Sequence, residues 1–242
     1  MTNAPSDSAQ QQKSGLRNAA LARRDALEID DRLEWDPAIT ERVLAVLSRH
    51  SSPDPEEPRS GVSKDARDGS GASWSILQDA PVGAPQDEGS GRVAVQGPVS
   101  AYWPMRSEAD PRPVLEVLHA SGLSLCLPAI VEKRMIFRRW APWEPIVPGG
   151  FGTLVPEPQQ PQVNPAILIV PLAAFDRRGY RIGYGKGYYD RALSELRALS
   201  ELGPVVSIGI GYSAQEIEAV PDEAHDQRLD WIVTERETIH CT

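Results

Sequence analysis

AILIVPLAAFDRRGYRIGYGKGYYDRAL, residues Ala166 to Leu193, is the stretch on which the fold turns. Ile167-Leu168-Ile169-Val170 is an unbroken apolar run, the pattern of a strand buried on both faces. Pro171 lacks a ladder donor, so pairing is expected to stop there. Asp176-Arg177-Arg178-Gly179 reads as a polar loop. Glycine then takes every second position at Gly183, Gly185 and Gly187, and Tyr188 opens a helix expected to run to about Leu202. Strand, glycine loop and helix start is the geometry of an anion site. Residues without Cβ let backbone N–H groups approach a phosphate, and the helix end adds free donors and a positive dipole. Arg181 and Lys186 bring two full charges to the loop, and Asp190 falls in the first helical turn, where a carboxylate is favourable and could hold a cation. Neither standard fingerprint is present, since Lys186 is followed by Gly187 and position 188 is Tyr. Bare glycines at this spacing also suit a flexible turn; the flanking Arg, Lys and Asp favour phosphate.

Outward from this block, the 242 residues suffice for one generous α/β domain or two small ones. The net charge of −9 argues against a nucleic-acid surface, though a local basic pocket remains open. Cys126 and Cys241 make no disulfide framework, which fits a reducing cytosol, and no apolar run is long enough for a membrane span. Residues 1–12 read as a disordered polar leader without a signal core.

Lys13 to Leu27 reads as a helix on which Lys13, Arg17 and Arg24 fall within roughly 40° of one another. That stripe is either a solvated basic face or part of a site. A second helix is expected from Pro37 or Ala38 to Arg49, with Ile39, Val43, Val46 and Leu47 inward. Residues 51–96, rich in Pro, Gly, Ser and charge, read as a disordered insertion anchored by Trp74, Ile76 and Leu77. Further expectations are a strand at Val99 to Trp103, a helix at Val114 to Ala120, a strand at Leu123 to Leu127 stopped by Pro128, and a strand at Arg134 to Trp140. Pro142 to Pro161 reads as loop, Val205 to Ile210 as strand, Ala214 to Ala219 as a short helix and Leu229 to Thr234 as a last strand. Helices alternating with short apolar strands imply a mostly parallel sheet flanked by helices, with ligands at the carboxyl ends of the strands.

In the acidic stretch Pro221 to Asp230, Asp226 could join Asp190 as a second cation ligand, or lie in a solvated turn. Glu108 and Glu157 are lone loop carboxylates. There is no metal-thiolate spacing and no nucleophile elbow.

Taken in order, KSGLR (Lys13–Arg17) with ARR (Ala22–Arg24), YWPMRSEAD (Tyr102–Asp110), FGTLVPEP (Phe151–Pro158), VPLAAFDRRGYRIGYGKGYYDRAL (Val170–Leu193) and PDEAHDQRLDWIVTE (Pro221–Glu235) resemble the 5-formyltetrahydrofolate cyclo-ligase family. The resemblance implies a single α/β domain over residues 13–242 with a NagB/RpiA/CoA transferase-like fold. It implies ATP-dependent, magnesium-assisted conversion of 5-formyltetrahydrofolate to 5,10-methenyltetrahydrofolate in one-carbon metabolism, with release of ADP and phosphate, by a cytoplasmic monomer.

By resemblance, Lys13 and Arg17 contact the ATP phosphates together with Arg181, Ile182, Gly183, Tyr184, Gly185, Lys186, Gly187, Tyr188 and Tyr189. Arg181, Lys186 and Tyr188 serve the chemistry. Trp103 and Glu108 lie on the folate side with Tyr188 and Tyr189, and Asp190 and Asp226 match the magnesium positions. Phosphoryl transfer asks chiefly for positioning and charge neutralisation, which such a set supplies without a nucleophilic Ser or Cys.

The departures are the long insertion, Asn164-Pro165-Ala166 where an acidic residue often precedes the central strand, and Leu21 where a second helix cation often contacts ATP, which leaves Arg24 as that candidate. Two other readings stay open: a sugar-phosphate isomerase or CoA-transferase relative that binds phosphate without hydrolysing nucleotide, and a non-catalytic folate-binding protein.

Overall fold

The computed structural model describes residues 7–50, 97–199 and 203–241, with side chains described from residue 10 onward. In chain order the elements are helices α1 (Asp7–Asp25) and α2 (Ile29–Arg49), strand β1 (Val99–Ser100) and helix α3 (Arg112–Ala120). Strands β2 (Leu125–Val131), β3 (Arg134–Arg139), β4 (Ile146–Pro148), β5 (Leu154–Pro156), β6 (Ile167–Pro171), β7 (Ala174–Phe175) and β8 (Arg181–Ile182) come next. Helix α4 (Tyr188–Ala198) and strands β9 (Val206–Ile210), β10 (Trp231–Val233) and β11 (Thr238–His240) complete the chain.

Seven strands form one sheet in the order β11-β10-β9-β6-β1-β2-β3, parallel except for its two antiparallel edge pairs. The apolar run of β6 is central, pairing with β1 on one side and β9 on the other. Its alternate residues serve opposite faces, as a strand covered on both sides requires. Ile167 and Ile169 pack in a core with Ile39, Val43 and Leu47 of α2 and Val114, Leu115 and Leu118 of α3. Leu168 and Val170 pack with Leu193 and Leu196 of α4 on the other face. Helix α1 stands apart, closing a small cluster in which Ala20 meets Ala174, Ile182 and Val220.

Several boundaries differ from the sequence reading. Helix α1 begins at Asp7, so residues 7–12, expected in a disordered leader, are helical. Ala and Gln are good helix formers, and nothing in this stretch breaks a helix. Helix α2 begins at Ile29 and carries Pro37 inside it. Asp30 and Asp31 in its first turn suit the dipole, and the carbonyl that Pro37 leaves without a donor belongs to Leu33, which is exposed to solvent.

Strand β2 runs through Pro128 to Val131 instead of stopping there. Opposite it, the Phe137 carbonyl turns away to accept from Val163, so Pro128 and Phe137 are not a hydrogen-bonded pair. The missing N–H of Pro128 therefore faces β1, whose ladder has already ended at Ser100. Residues 142–161, expected to be loop, contain the β4–β5 hairpin, with Pro148 and Pro156 at strand ends where proline is tolerated. Strand β1 is shorter than expected, α4 ends at Ala198, and the helix expected at Ala214 is a single 3-10 turn at Ser213–Gln215. The insertion at 51–96, with Trp74, Ile76 and Leu77, lies outside the described residues.

Cys126 and Cys241 are free thiols, and burial pushes Cys126 up to about 12 and Cys241 up to about 11. Among the described residues no helix is long and apolar enough to cross a membrane.

Candidate active site

The loops that follow β1 and β6 open on one cavity of about 1010 Å³ at the carboxyl ends of those strands. The glycine block does not follow β6 directly. A β7–β8 hairpin intervenes, and the polar stretch from Asp176 to Gly179 is its turn. The hairpin carries the glycines back across the cavity and under α1. Gly185 has φ +83° and a Cβ there would lie 3.1 Å from Arg17 Nη2. Gly187, also left-handed at φ +62°, is the residue that enters α4. Both conformations favour glycine, so the spacing reflects backbone demand as well as ligand access.

Apart from Arg24, every residue singled out as a site candidate lies on the wall of this cavity: Lys13 and Arg17, Arg181 through Asp190, Trp103, Glu108 and Asp226. The sequence stretches involved are more than 200 residues apart and meet because α1 crosses the hairpin. Arg17 Nε donates to the Gly183 carbonyl at 2.6 Å, tying helix to loop, and burial lowers its pKa. Lys13 Nζ donates to Asp226 Oδ2 at 2.6 Å and Glu223 Oε2 at 2.9 Å. Desolvation works against the charge of Lys13, but the two carboxylates outweigh it, so its pKa is raised.

Arg181 is not the free loop cation expected. It belongs to β8, its side chain is buried, and it donates to Asp190 Oδ1 at 2.9 Å and to the Gln227 carbonyl at 2.6 Å. Desolvation lowers its pKa, with Asp190 working in the opposite direction. Lys186 does stand free. Its Nζ lies 6.0 Å from the Phe151 ring centroid, and among the described residues neither it nor Arg17 has a carboxylate partner.

Glu108, on the same cavity, is buried and its carboxylate is already oriented. Oε2 accepts from the Met105 N–H at 2.8 Å and Oε1 from the Tyr184 hydroxyl at 2.9 Å. Desolvation raises its pKa against the opposing effects of these hydrogen bonds and of Arg24 and Arg106. Trp103 stacks edge-on to Trp140 with Arg112 over its ring. Tyr189 packs against the α4-side core, and burial raises its pKa. Tyr188 faces Phe151, with ring centroids 6.0 Å apart.

The two carboxylates expected at a magnesium ion are each half engaged. Asp190 Oδ1 takes Arg181 and the Gln227 N–H, and Asp226 Oδ2 takes Lys13 and the Glu223 N–H. Among the described residues no group of three or more His, Cys, Asp or Glu is gathered as a metal cage. A nucleotide-borne magnesium ion needs only one or two carboxylates besides phosphate and water, so the donor set fits that mode and not a resident all-protein site.

Phe151 carried no role in the sequence reading. Its exposed ring, on a backbone at φ +61° between Gly150 and Gly152, lines the cavity. The glycines around a lone aromatic were the available signal. Arg24, by contrast, leaves the cation stripe. It is 1% exposed and donates through Nε to Ser107 Oγ at 3.0 Å.

A family model described as the 5-formyltetrahydrofolate cyclo-ligase family matches residues 90–235. The 5-formyltetrahydrofolate cyclo-ligase of Haemophilus influenzae is 28% identical over 138 residues, covering 54% of this chain and 72% of the relative. That of Escherichia coli K12 is 28% identical over 149 residues, covering 59% and 80%. Among solved structures, a 5,10-methenyltetrahydrofolate synthetase from Aquifex aeolicus shares the fold with TM-score 0.64 at 24% identity, covering 95% of this chain and 92% of that one. One from Mycoplasma pneumoniae does so with TM-score 0.59 at 20% identity, covering 93% and 99%.

Proposed function

The chain belongs to the 5-formyltetrahydrofolate cyclo-ligase family, and on that premise we propose that it closes 5-formyltetrahydrofolate to 5,10-methenyltetrahydrofolate, converting ATP to ADP and phosphate. The observation that carries this reading is a single cavity whose lining brings Arg17, Lys186 and the glycine loop together with Trp103, buried Glu108, Tyr188 and Tyr189.

The γ-phosphoryl group passes to the formyl oxygen and ADP leaves. N10 then attacks the formyl carbon and loses its proton, and the C–O bond breaks with the departure of phosphate. Without activation that oxygen would leave as hydroxide. Arg17, Lys186 and the backbone N–H groups of the glycine loop bind the triphosphate and spread its charge. Lys13 can turn from its carboxylates to a phosphate oxygen, a change of partner within reach of a long side chain. Arg181 holds Asp190 in place. Glu108 accepts from the N–H edge of the pterin, while Tyr188 and Tyr189 flank the ring and the formyl group. Asp190 and Asp226 would hold a magnesium ion, which supplies neutralisation of the β- and γ-phosphates.

The test is purified protein with 5-formyltetrahydrofolate, ATP and magnesium, followed by methenyl absorbance. ATP-dependent growth of that band is expected. Its absence, with folate still bound, would favour the folate-sequestering alternative.

A further inference from the structure

Arg24 was the unresolved member of the helix stripe, and its surroundings assign it a different task from Lys13 and Arg17. A buried guanidinium needs partners for each nitrogen. Nε is held by Ser107 Oγ at 3.0 Å, and Nη2 lies 3.4 Å from Asp25 Oδ1, itself bonded by the Ser107 hydroxyl. Nη1 is buried and makes no hydrogen bond among the described residues, and it lies 4.0 Å from Glu108 Oε1. Asp25 is half exposed, whereas the side chains of Arg24 and Glu108 are 1% and 3% exposed. Water therefore weakens the field of Asp25 far more than the field that Arg24 exerts on Glu108.

We propose that Arg24 is the fixed counter-charge of Glu108, a positioning residue that keeps this almost fully buried carboxylate ionised at the edge of the cavity. The inference rests on the reading of Glu108 as the folate-side carboxylate. The other groups facing Glu108 are Arg106 and Tyr102 from its own loop, Tyr184 from the glycine loop and Tyr189 from α4. The tyrosines are neutral at working pH, and Arg106 lies on the opening of the cavity and is exposed to solvent. Arg24 is thus the buried cation of the set. Its location also explains why one helix carries cations of two kinds. Lys13 and Arg17 line the cavity, and about two further turns set Arg24 behind the loop that bears Glu108.

Two measurements on the full chain test this. The first is a carbon NMR titration of the Glu108 side-chain carboxyl in the ligand-free protein. The second is the pH profile of kcat/KM for 5-formyltetrahydrofolate, with KM for ATP measured in parallel. An opposite charge at this distance holds a carboxyl one to three pH units down. Arg24→Met is therefore expected to raise the Glu108 midpoint, and the acid limb of the folate profile with it, by one unit or more. Folate KM at neutral pH should rise about tenfold and ATP KM should stay within twofold.

Arg24→Lys, which keeps the charge, is expected to return the limb to within half a unit. An unmoved carboxyl titration, or a raised ATP KM with an unmoved folate limb, overturns the proposal. If Arg24→Met alone does not fold, the double variant Arg24→Met/Glu108→Gln, which leaves neither charge buried, is expected to fold. Failure of the double variant makes Arg24 a residue of the fold alone and overturns the proposal too. A titration that moves in a protein without turnover would sink the catalytic reading and leave the role of Arg24 standing.

Discussion

The cation-bearing wall of the cavity and the buried corner behind it are both built from α1 cations facing loop carboxylates, yet they differ in what surrounds the charges. Lys13 meets Glu223 and Asp226 where all three side chains keep 15–23% exposure. Arg24 and Glu108 meet where almost none is left. In the wetter region the attraction is screened, and the partners can exchange for a ligand's phosphates at little cost. In the dry corner the charges cannot rehydrate, so the arrangement is permanent and its effect is to hold one protonation state. Arg181 and Asp190 fall between the two, with a buried cation whose carboxylate still reaches the cavity.

This gradient orders the expected effects. Asp190→Ala removes the carboxylate from a buried guanidinium and should lower stability by about 3 kcal/mol, read from urea unfolding. Asp190→Asn keeps an acceptor for Arg181, and is expected to stay folded while losing turnover at limiting magnesium. An Ala variant as stable as the parent would show that Arg181 is hydrated and that the gradient is wrong. Arg181→Ala should raise KM for ATP by about one to two orders of magnitude, because it takes from Asp190 a charged hydrogen bond worth about 1.5–3 kcal/mol and with it the placement of that carboxylate beside the phosphates. Unaltered ATP kinetics would confine Arg181 to the scaffold.

Tyr184→Phe removes the neutral donor to Glu108 and should raise folate KM about two- to tenfold, for a loss of about 0.5–1.5 kcal/mol. No change would mean that the Met105 N–H alone orients the carboxylate.

The smallest effect on stability belongs to Lys13→Met, at most about 1 kcal/mol for a part-exposed pair. Because the pKa of Lys13 is raised on folding, its contribution is complete below its ordinary value of 10.5 and fades as pH climbs through the raised one. The difference between parent and variant should be present at pH 8 and shrink in strongly alkaline buffer. A difference that survives there would point to packing of the lysine stem rather than charge.

How much of this was legible beforehand depends on how local each signal was. The run Ile167–Val170, the helix start at Tyr188 and the inward face of α2 at Ile39, Val43, Val46 and Leu47 depend on neighbours within a turn or a strand, and they fold as read, whereas the β7–β8 hairpin between the run and the glycines was not legible. Pro128 and Pro37 misled because the cost of a proline depends on where its missing N–H points, and that is set by a strand or by solvent outside the local window. The β4–β5 hairpin hid behind prolines placed at its strand ends.

The residue types that the cavity gathers, its cations, carboxylates and phosphate-ready glycines, were present in the sequence by itself, because chemistry of this kind is a property of side chains and their short-range spacing. The tertiary structure alone decided which of the cations are free. Arg17 and Lys186 face the cavity, Arg181 is bound to Asp190, and Arg24 is set against Glu108. The physical reason is that the strength and permanence of a charge pair depend on the water around it. That is determined only once α1, the β7–β8 hairpin and the loop after β1 have packed together.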